Sequence, residues 1–340
     1  MVSTGTRPGA GGETATIAPL RIMFFGTPAF AVPTLDALLA ATPHVVVGAV
    51  TQPDRPRGRG QRVSDAPVKV RAIAAGLPLL QPERMKDEAF LHALASWNAD
   101  LGVVAAYGWI LMDAILAVPR LGMINVHGSL LPRYRGAAPV HRAIIGGDTS
   151  TGITIMRVVK ALDAGPMLAT DHRAIGPDET SEEVESDLSR MGSRLLVAVV
   201  DQIARGHARE TPQDDALATY AHRLTKDDGI IDWGWPSLRV HNLIRGLHPW
   251  PHAFSFLQGR RLILLRSAIE ASAPEGSRLY ASGEAAGTIL EADGGRLIVA
   301  TGDGLLRIVE IQAEGKRPMD AREFLAGHRL IAGDRFTAAP

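Results

Sequence analysis

The feature that most constrains the fold of this chain is the alternation of short apolar runs with helix-like segments over roughly its first 200 residues. Such runs, rich in β-branched residues, are typical of buried strands. They lie at 20–25, 44–50, 101–105 and 123–126, and helical spacing follows at 30–39, 64–74, 112–118 and 182–204. Repeated strand–helix–strand units form parallel sheets covered by helices. The sequence therefore predicts an α/β domain built on a doubly wound, mostly parallel sheet.

A different pattern follows a polar segment at 206–215, which contains Gly, Pro and Asp as linkers do. Short strand-like runs separated by Gly-rich turns predict a small β-barrel or sandwich. The runs lie at 253–257, 261–269, 287–290, 296–299 and 305–311. We expect a disordered leader at 1–19, a first domain at 20–206, a linker at 207–220 and a second domain at 221–335.

Composition excludes several classes of protein. Lys and Arg total 36 against 36 Asp and Glu, so the chain is not a basic protein that coats nucleic acid. The absence of Cys removes disulfides, thiolate metal sites and a Cys nucleophile. The longest apolar run, 101–112, is shorter than the about 20 residues that cross a bilayer, and the leader lacks the apolar block of a signal peptide. We expect a cytoplasmic protein without membrane contact, and a monomer because no heptad pattern is present.

One stretch carries residues suited to chemistry. Asn125 and His127 lie two residues apart at the end of a predicted strand, so their side chains share one face of the sheet. Ligands bind at this carboxyl edge in open α/β sheets. Asn can donate to a developing oxyanion, His can exchange a proton near neutral pH, and Asp163 could orient that His. The alternative is structural: backbone groups satisfy the strand end, and Asp163 caps a turn.

These residues lie within longer motifs that resemble those of the folate-dependent formyltransferases. The motifs are Asn125-Val-His127 with its Ser129-Leu-Leu-Pro132 turn, Thr151-Gly-Ile-Thr154, and Leu162-Asp163-Ala-Gly165. Within that superfamily, the segments 25–28, 51–60, 127–139, 231–233 and 249–251 resemble the branch that formylates methionyl-tRNA. The resemblance extends from about residue 20 to residue 335 and implies a Rossmann-like domain followed by an OB-like barrel.

The resemblance also implies the roles of individual residues. Asn125, His127 and Asp163 would be the catalytic trio, and the folate site would be lined by Ser129, Leu130, Leu131 and Pro132. The formyl donor would be 10-formyltetrahydrofolate, with no metal, and the acceptor would be the α-amino group of initiator methionyl-tRNA. The amine would attack the formyl carbon directly, and the trio would stabilise the tetrahedral intermediate.

A basic loop lies near the predicted site. Residues 51–71 contain six basic and two acidic side chains, a local charge of +4. Arg forks suit phosphates, although a solvated loop is the alternative for such a run. By the resemblance this loop meets the tRNA acceptor end, and the barrel adds a second surface. The residues expected to contact tRNA are Arg55, Arg57, Arg59 and Lys316.

Two departures from the family pattern and several rival functions stay open at this point. The stretch 157–161 lacks the usual acidic residues and Gly, and His252 stands where Gly is expected. The rivals are a sister enzyme with a small amine as acceptor, a hydrolase that passes the formyl group to water, a non-catalytic RNA-binding protein, and a hydrolase using Ser129 with His127. Ser129 lacks the G-x-S-x-G setting of such hydrolases.

Overall fold

A computed structural model of the chain describes residues 18–41, 43–54, 56–57, 62–271 and 285–340. Most of the predicted leader and part of the basic loop lie outside these residues.

Within the described residues, the first half of the chain contains ten strands and six α-helices. The strands are β1 (Arg21–Gly26), β2 (Val45–Val50), β3 (Pro56–Arg57), β4 (Arg62–Val63), β5 (Leu79–Leu80), β6 (Leu101–Ala105), β7 (Met123–His127), β8 (Arg135–Gly136), β9 (Ser150–Arg157) and β10 (Met167–Ala174). The helices are α1 (Val32–Ala40), α2 (Pro67–Ala74), α3 (Glu88–Ser96), α4 (Asp113–Leu116), α5 (Pro139–Ile145) and α6 (Ser181–Ala204).

The main sheet has the order β10-β9-β7-β6-β1-β2-β5. The five strands from β7 to β5 run parallel, whereas β9 and β10 are antiparallel at one edge. Strand β6 is buried at every residue, as expected for a parallel strand covered on both faces. The predicted α/β fold is confirmed. Strand β10 was not predicted, because its mostly half-exposed and exposed residues produce no apolar run.

Helix α6 covers the strand that carries the candidate site. A capping box fixes its start: Thr180 accepts from the Glu183 amide, and the Glu183 carboxylate accepts from the Thr180 amide. Gly192 lets the helix approach closely, because a Cβ there would lie 2.7 Å from a methyl group of Val126. The strand bearing Asn125 and His127 is therefore held against a rigid helix.

The second half is mainly antiparallel. Its strands are β11 (Tyr220–Ala221), β12 (Ala253–Leu257), β13 (Arg260–Glu270), β14 (Ile289–Asp293), β15 (Arg296–Ala300), β16 (Leu305–Ala313), β17 (Met319–Asp320) and β18 (Phe336–Thr337), with helices α7 (Ser237–Gly246) and α8 (Ala321–Gly327). The sheet order is β14-β15-β16-β13-β12-β18. Its two ends meet, because the Ile289 amide donates to Asp334 O at 2.7 Å and the Phe336 amide donates to Gly287 O at 2.9 Å. The predicted small barrel is confirmed, whereas α7 was not predicted.

The two halves make direct contacts. Strand β8 pairs in parallel with β11, and α5 packs against α7. Arg266 of the barrel donates to Glu183 of α6 at 2.9 Å. The hydrogen bond from the Thr180 amide, together with the one from Arg266, lowers the pKa of Glu183 to about 2. Within the described part of the chain, no helix is long and apolar enough to cross a membrane. The boundaries placed around residues 207–220 stay a prediction.

Candidate active site

The site lies at the carboxyl edge of the parallel sheet, where the loops after β1, β2 and β6 meet the end of β7. The Tyr107 carbonyl accepts from Thr27 Oγ1 at 3.3 Å and from Gln52 Nε2 at 2.8 Å, which joins the three loops. Burial raises the pKa of the Tyr107 phenol, so this hydroxyl stays neutral. The edge is thus a set of loops tied together by hydrogen bonds.

His127 ends β7 and is almost fully buried, with 5% of its surface exposed. Its Nε2 lies 2.9 Å from the Tyr134 carbonyl oxygen, which can only accept, so Nε2 carries the hydrogen and donates. Nδ1 is therefore the nitrogen left for acid–base chemistry. The Tyr134 carbonyl fixes the ring at Nε2, a contact that the sequence did not indicate, and the orienting role expected of Asp163 stays a prediction.

Asp163 faces the free side of the imidazole. Its Oδ2 lies 3.8 Å from His127 Nδ1 and accepts a hydrogen bond of 2.8 Å from the Gly136 amide. The backbone of Asp163 is left-handed, with φ +47°. Gly165 is required two residues later, because a Cβ there would lie 1.9 Å from Arg157 O. Arg157, in the atypical stretch, donates from its side chain to Glu210 at 2.7 Å and to Leu121 O at 2.8 Å. Its amide donates to Pro166 O at 2.9 Å, which joins the two ends of the segment that contains the turn.

Asn125 lies on β7 between Val104 of β6 and Met156 of β9, two residues before His127. Strand alternation puts both side chains on one face, and Asn125 is partly exposed. The structure thus places Asn125 on the face of His127, and Asp163 beside that imidazole. Among the described residues, no group of three or more His, Cys, Asp or Glu side chains could hold a metal ion.

The turn after β7 is held by buried hydroxyls. Ser129 is fully buried and donates to Arg133 O at 2.7 Å. Thr154 Oγ1 donates to Ser129 O at 2.7 Å and accepts from the Leu131 amide at 3.1 Å. The Leu131–Pro132 peptide bond is cis. Because the Ser129 hydroxyl is buried and already donates within the turn, this arrangement disfavours a Ser129 nucleophile, while the partly exposed Leu130 can contact a ligand.

Two supporting residues were missed by sequence reasoning. Arg135 is buried and donates from Nε and Nη2 to Gln213 Oε1 at 3.0 and 2.8 Å. Gln213 in turn donates to the carbonyl oxygens of Asp163 and Gly165, both at 2.8 Å. Arg135 lies inside the quoted motif, but Gln213 lies in a polar segment that carries no motif.

Of the three arginines of the basic loop that are expected to contact tRNA, only Arg57 lies among the described residues. Arg55 and Arg59 lie outside the described residues, and Arg57 belongs to β3. Lys69, which belongs to the same basic stretch but lies on α2, pairs with Asp54 and with Asp65, the latter at 2.7 Å. Lys69 is thus neutralised locally.

Lys316 lies far along the chain, on the barrel. It lines an open cleft of about 810 Å³, whose other basic lining residues are Arg260, Arg261, His328 and Arg329.

Comparisons with known proteins cover both halves of the chain. The formyl transferase family model matches residues 20–200, and the model of the formyl transferase C-terminal domain matches residues 223–329. A methionyl-tRNA formyltransferase from Desulfotalea psychrophila is 46% identical over 92% of this chain and 94% of its own length. One from Sorangium cellulosum is 42% identical over 92% of this chain and 98% of its own.

Solved structures share the fold at low identity. WlaRD, a sugar 3N-formyl transferase solved in the presence of dTDP and 5-N-formyl-THF, has a TM-score of 0.62 at 15% identity, over 88% of this chain and 99% of that one. HypX from Aquifex aeolicus, in complex with tetrahydrofolic acid, has a TM-score of 0.59 at 13% identity, over 90% of this chain and 47% of that one. The sequence matches, which span nearly the whole chain, show that it belongs to the formyl transferase family, in its methionyl-tRNA formyltransferase branch.

Proposed function

We propose that this protein transfers the formyl group of 10-formyltetrahydrofolate to the α-amino group of initiator methionyl-tRNA. The product would be N-formylmethionyl-tRNA, which is used in translation initiation. The reaction would take place in the cytoplasm, where charged tRNA is present. One observation carries the proposal: His127 lies 3.8 Å from Asp163 and shares a strand face with Asn125, in a chain closely related to enzymes of that name.

The proposed reaction is a direct displacement at the formyl carbon. The neutral α-amine, with a reference pKa of about 7.7–8.0, attacks the carbon and forms a tetrahedral intermediate. The bond to the folate nitrogen then breaks. Over the whole step the amine loses one proton and the folate nitrogen gains one, so no oxidant or reductant is needed.

The site residues suit this proton balance. Asn125 donates to the oxyanion, a contribution worth about 10²–10³ in kcat at comparable sites. His127 Nδ1 is the proton carrier, because Nε2 is used by the Tyr134 carbonyl. Asp163, 3.8 Å from Nδ1, stabilises the imidazolium or takes its proton through a water molecule. The Ser129–Pro132 turn holds the folate through its backbone and the side chain of Leu130.

The tRNA would be held by two basic surfaces. We place its acceptor end against the loop that contains Arg55, Arg57 and Arg59, and we place another part of the tRNA against the barrel cleft near Lys316. Arg59→Ala is then expected to raise KM for methionyl-tRNA while KM for the folate is unchanged. Equal effects on both constants would remove this loop from the tRNA site.

The experiment that tests the function offers the purified protein one acceptor at a time. Each reaction contains 10-formyltetrahydrofolate and either initiator methionyl-tRNA, elongator methionyl-tRNA, a dTDP-linked amino sugar, glycinamide ribonucleotide or buffer alone. We expect formylmethionine on the initiator tRNA, with one tetrahydrofolate released per formyl group. Formylation of only a small amine would overturn the acceptor, and tetrahydrofolate released without a formylated product would indicate a hydrolase.

A further inference from the structure

Arg135 is a buried cation whose partners come from the segment between the two halves of the chain. Only 4% of its surface is exposed, and its guanidinium donates twice to Gln213 Oε1. Nη2 also donates to Asp215 at 2.7 Å. A buried guanidinium is costly unless its hydrogen bonds are satisfied, so this arrangement fixes the orientation of the Gln213 amide.

The other end of the same amide bridges the Asp163 turn. Gln213 Nε2 donates to Asp163 O and to Gly165 O, both at 2.8 Å, which uses both of its hydrogens. With two acceptances at Oε1, every polar atom of this side chain is engaged. Among neutral side chains, only the amide of Asn or Gln can accept from a guanidinium and donate to two carbonyls at once.

The turn needs this external support. Asp163 adopts a left-handed backbone that non-Gly residues rarely adopt, and Gly165 lies in van der Waals contact with the Arg157 backbone. Two neighbouring residues of strand β8, Arg135 and Gly136, support the turn. The Gly136 amide binds the Asp163 carboxylate, while Arg135, its neighbour in sequence, acts on the Asp163 carbonyl through Gln213.

We propose that Gln213, oriented by Arg135, is a positioning residue for formyl transfer. It holds the Asp163 turn in the conformation that directs Oδ2 at His127 Nδ1. This inference rests on the proposed function, because it assumes that Asp163 acts on His127 during the reaction. It also gives the segment between the two halves a role in the active site.

The kinetic test compares Gln213→Leu and Gln213→Glu with the unsubstituted enzyme. Leu removes both sets of hydrogen bonds, whereas Glu keeps the attraction to Arg135 and repels the two carbonyl oxygens. Both should lower kcat about 10- to 100-fold, with KM for both substrates within about threefold, because a small misplacement of a reacting group costs that much. Gln202→Leu, on the exposed face of α6, is the matched control and should leave kcat unchanged.

A direct structural readout uses amide hydrogen exchange on the free protein. The Gly136 amide donates to the Asp163 carboxylate, whereas the next amide, Ala137, donates to Ala221 O at 2.9 Å. In Gln213→Leu we expect the Gly136 amide to exchange at least about tenfold faster, with Ala137 unchanged. Equal acceleration of both amides would make Gln213 a general structural residue and overturn the proposal.

The two readouts separate this inference from the proposed function. Exchange needs no substrate, so a change confined to Gly136 shows that Gln213 holds the carboxylate whatever the acceptor is. Unchanged kcat in both Gln213 variants, in an enzyme that formylates methionyl-tRNA, would refute the positioning role alone. A higher KM for methionyl-tRNA at constant kcat would also overturn it, because Gln213 would then act in binding.

Discussion

Two of the five histidine–carboxylate pairs among the described residues have similar spacing and different surroundings. His127 Nδ1 lies 3.8 Å from Asp163 at the sheet edge, and His141 Nδ1 of α5 lies 3.4 Å from Glu185 of α6. In the first pair, backbone groups bind the imidazole and the carboxylate. In the second pair, His141 Nδ1 is buried without a hydrogen-bond partner.

The difference teaches that two pairs at similar distances can have different electrostatic surroundings. Burial, aided by Arg142, lowers the pKa of His141 to about 4. Burial, aided by Glu182, raises the pKa of Glu185 to about 7. Both pKa shifts favour the neutral forms. Between about pH 4 and pH 7 both side chains are therefore mainly uncharged and form no ion pair. The first pair instead has fixed orientation and lies at the ligand edge.

The largest difference between the two pairs should be the effect of removing each histidine on kcat. His127→Ala is expected to lower kcat for formyl transfer by about 10³-fold or more, because general acid–base groups contribute about 10²–10⁴. His141→Ala, the matched variant in the second pair, should stay within about threefold of the unsubstituted enzyme. Single-turnover formylation of methionyl-tRNA with enzyme in excess measures both. Near-normal turnover by His127→Ala, or an equal loss in His141→Ala, would break the comparison.

The support of the first pair can be disturbed without touching either partner. Gly165→Ala places a Cβ against Arg157 O, so the turn must shift and carry Asp163 away from His127. We expect kcat to fall about 10- to 100-fold at unchanged KM for the folate. Gln202→Leu, at the exposed position of α6, is again the control and should be indistinguishable from the unsubstituted enzyme. A fully active Gly165→Ala enzyme would show that the Asp163 turn tolerates displacement.

Sequence reasoning predicted the parts of this site that are local in the chain. Strand β7 was predicted from its apolar run, and alternation then put Asn125 and His127 on one face. The buried strands and the amphipathic α6 were predictable for the same reason, since periodicity reports burial. Glu88–Ser96, which forms α3, shows that short helices with ordinary composition escape such reasoning.

What could not be predicted depends on contacts between distant residues. Gln213 lies 50 residues after Asp163 and 78 after Arg135, in a segment whose polarity indicated only a linker. The Tyr134 carbonyl that orients His127 has no sequence signal, because every residue carries a carbonyl. Backbone acceptors and single side chains at long range become visible only in the folded chain.

Acid should destabilise the folded protein through the histidine of the second pair. The folded pKa of His141 lies below its ordinary value of 6.5, so its contribution to stability is complete above pH 6.5 and is lost as the pH falls toward 4. The unsubstituted protein should lose about 2 kcal/mol of unfolding free energy from this group between pH 7.5 and pH 5. His141→Gln should lose correspondingly less in urea unfolding at the two pH values. Identical losses would show that this imidazole titrates normally in the fold.

Glu185 should show the opposite and smallest pH dependence. Its folded pKa lies above its ordinary value, so its contribution to stability is present at low pH and is lost as the pH rises through about 7. Glu185→Gln should therefore raise the unfolding free energy at pH 8 relative to pH 5. The gain should be under about 1 kcal/mol, because the carboxyl remains 36% exposed and water screens it. An unfolding free energy that differs between pH 8 and pH 5 by the same amount in both proteins would show that this carboxyl has no raised pKa in the fold.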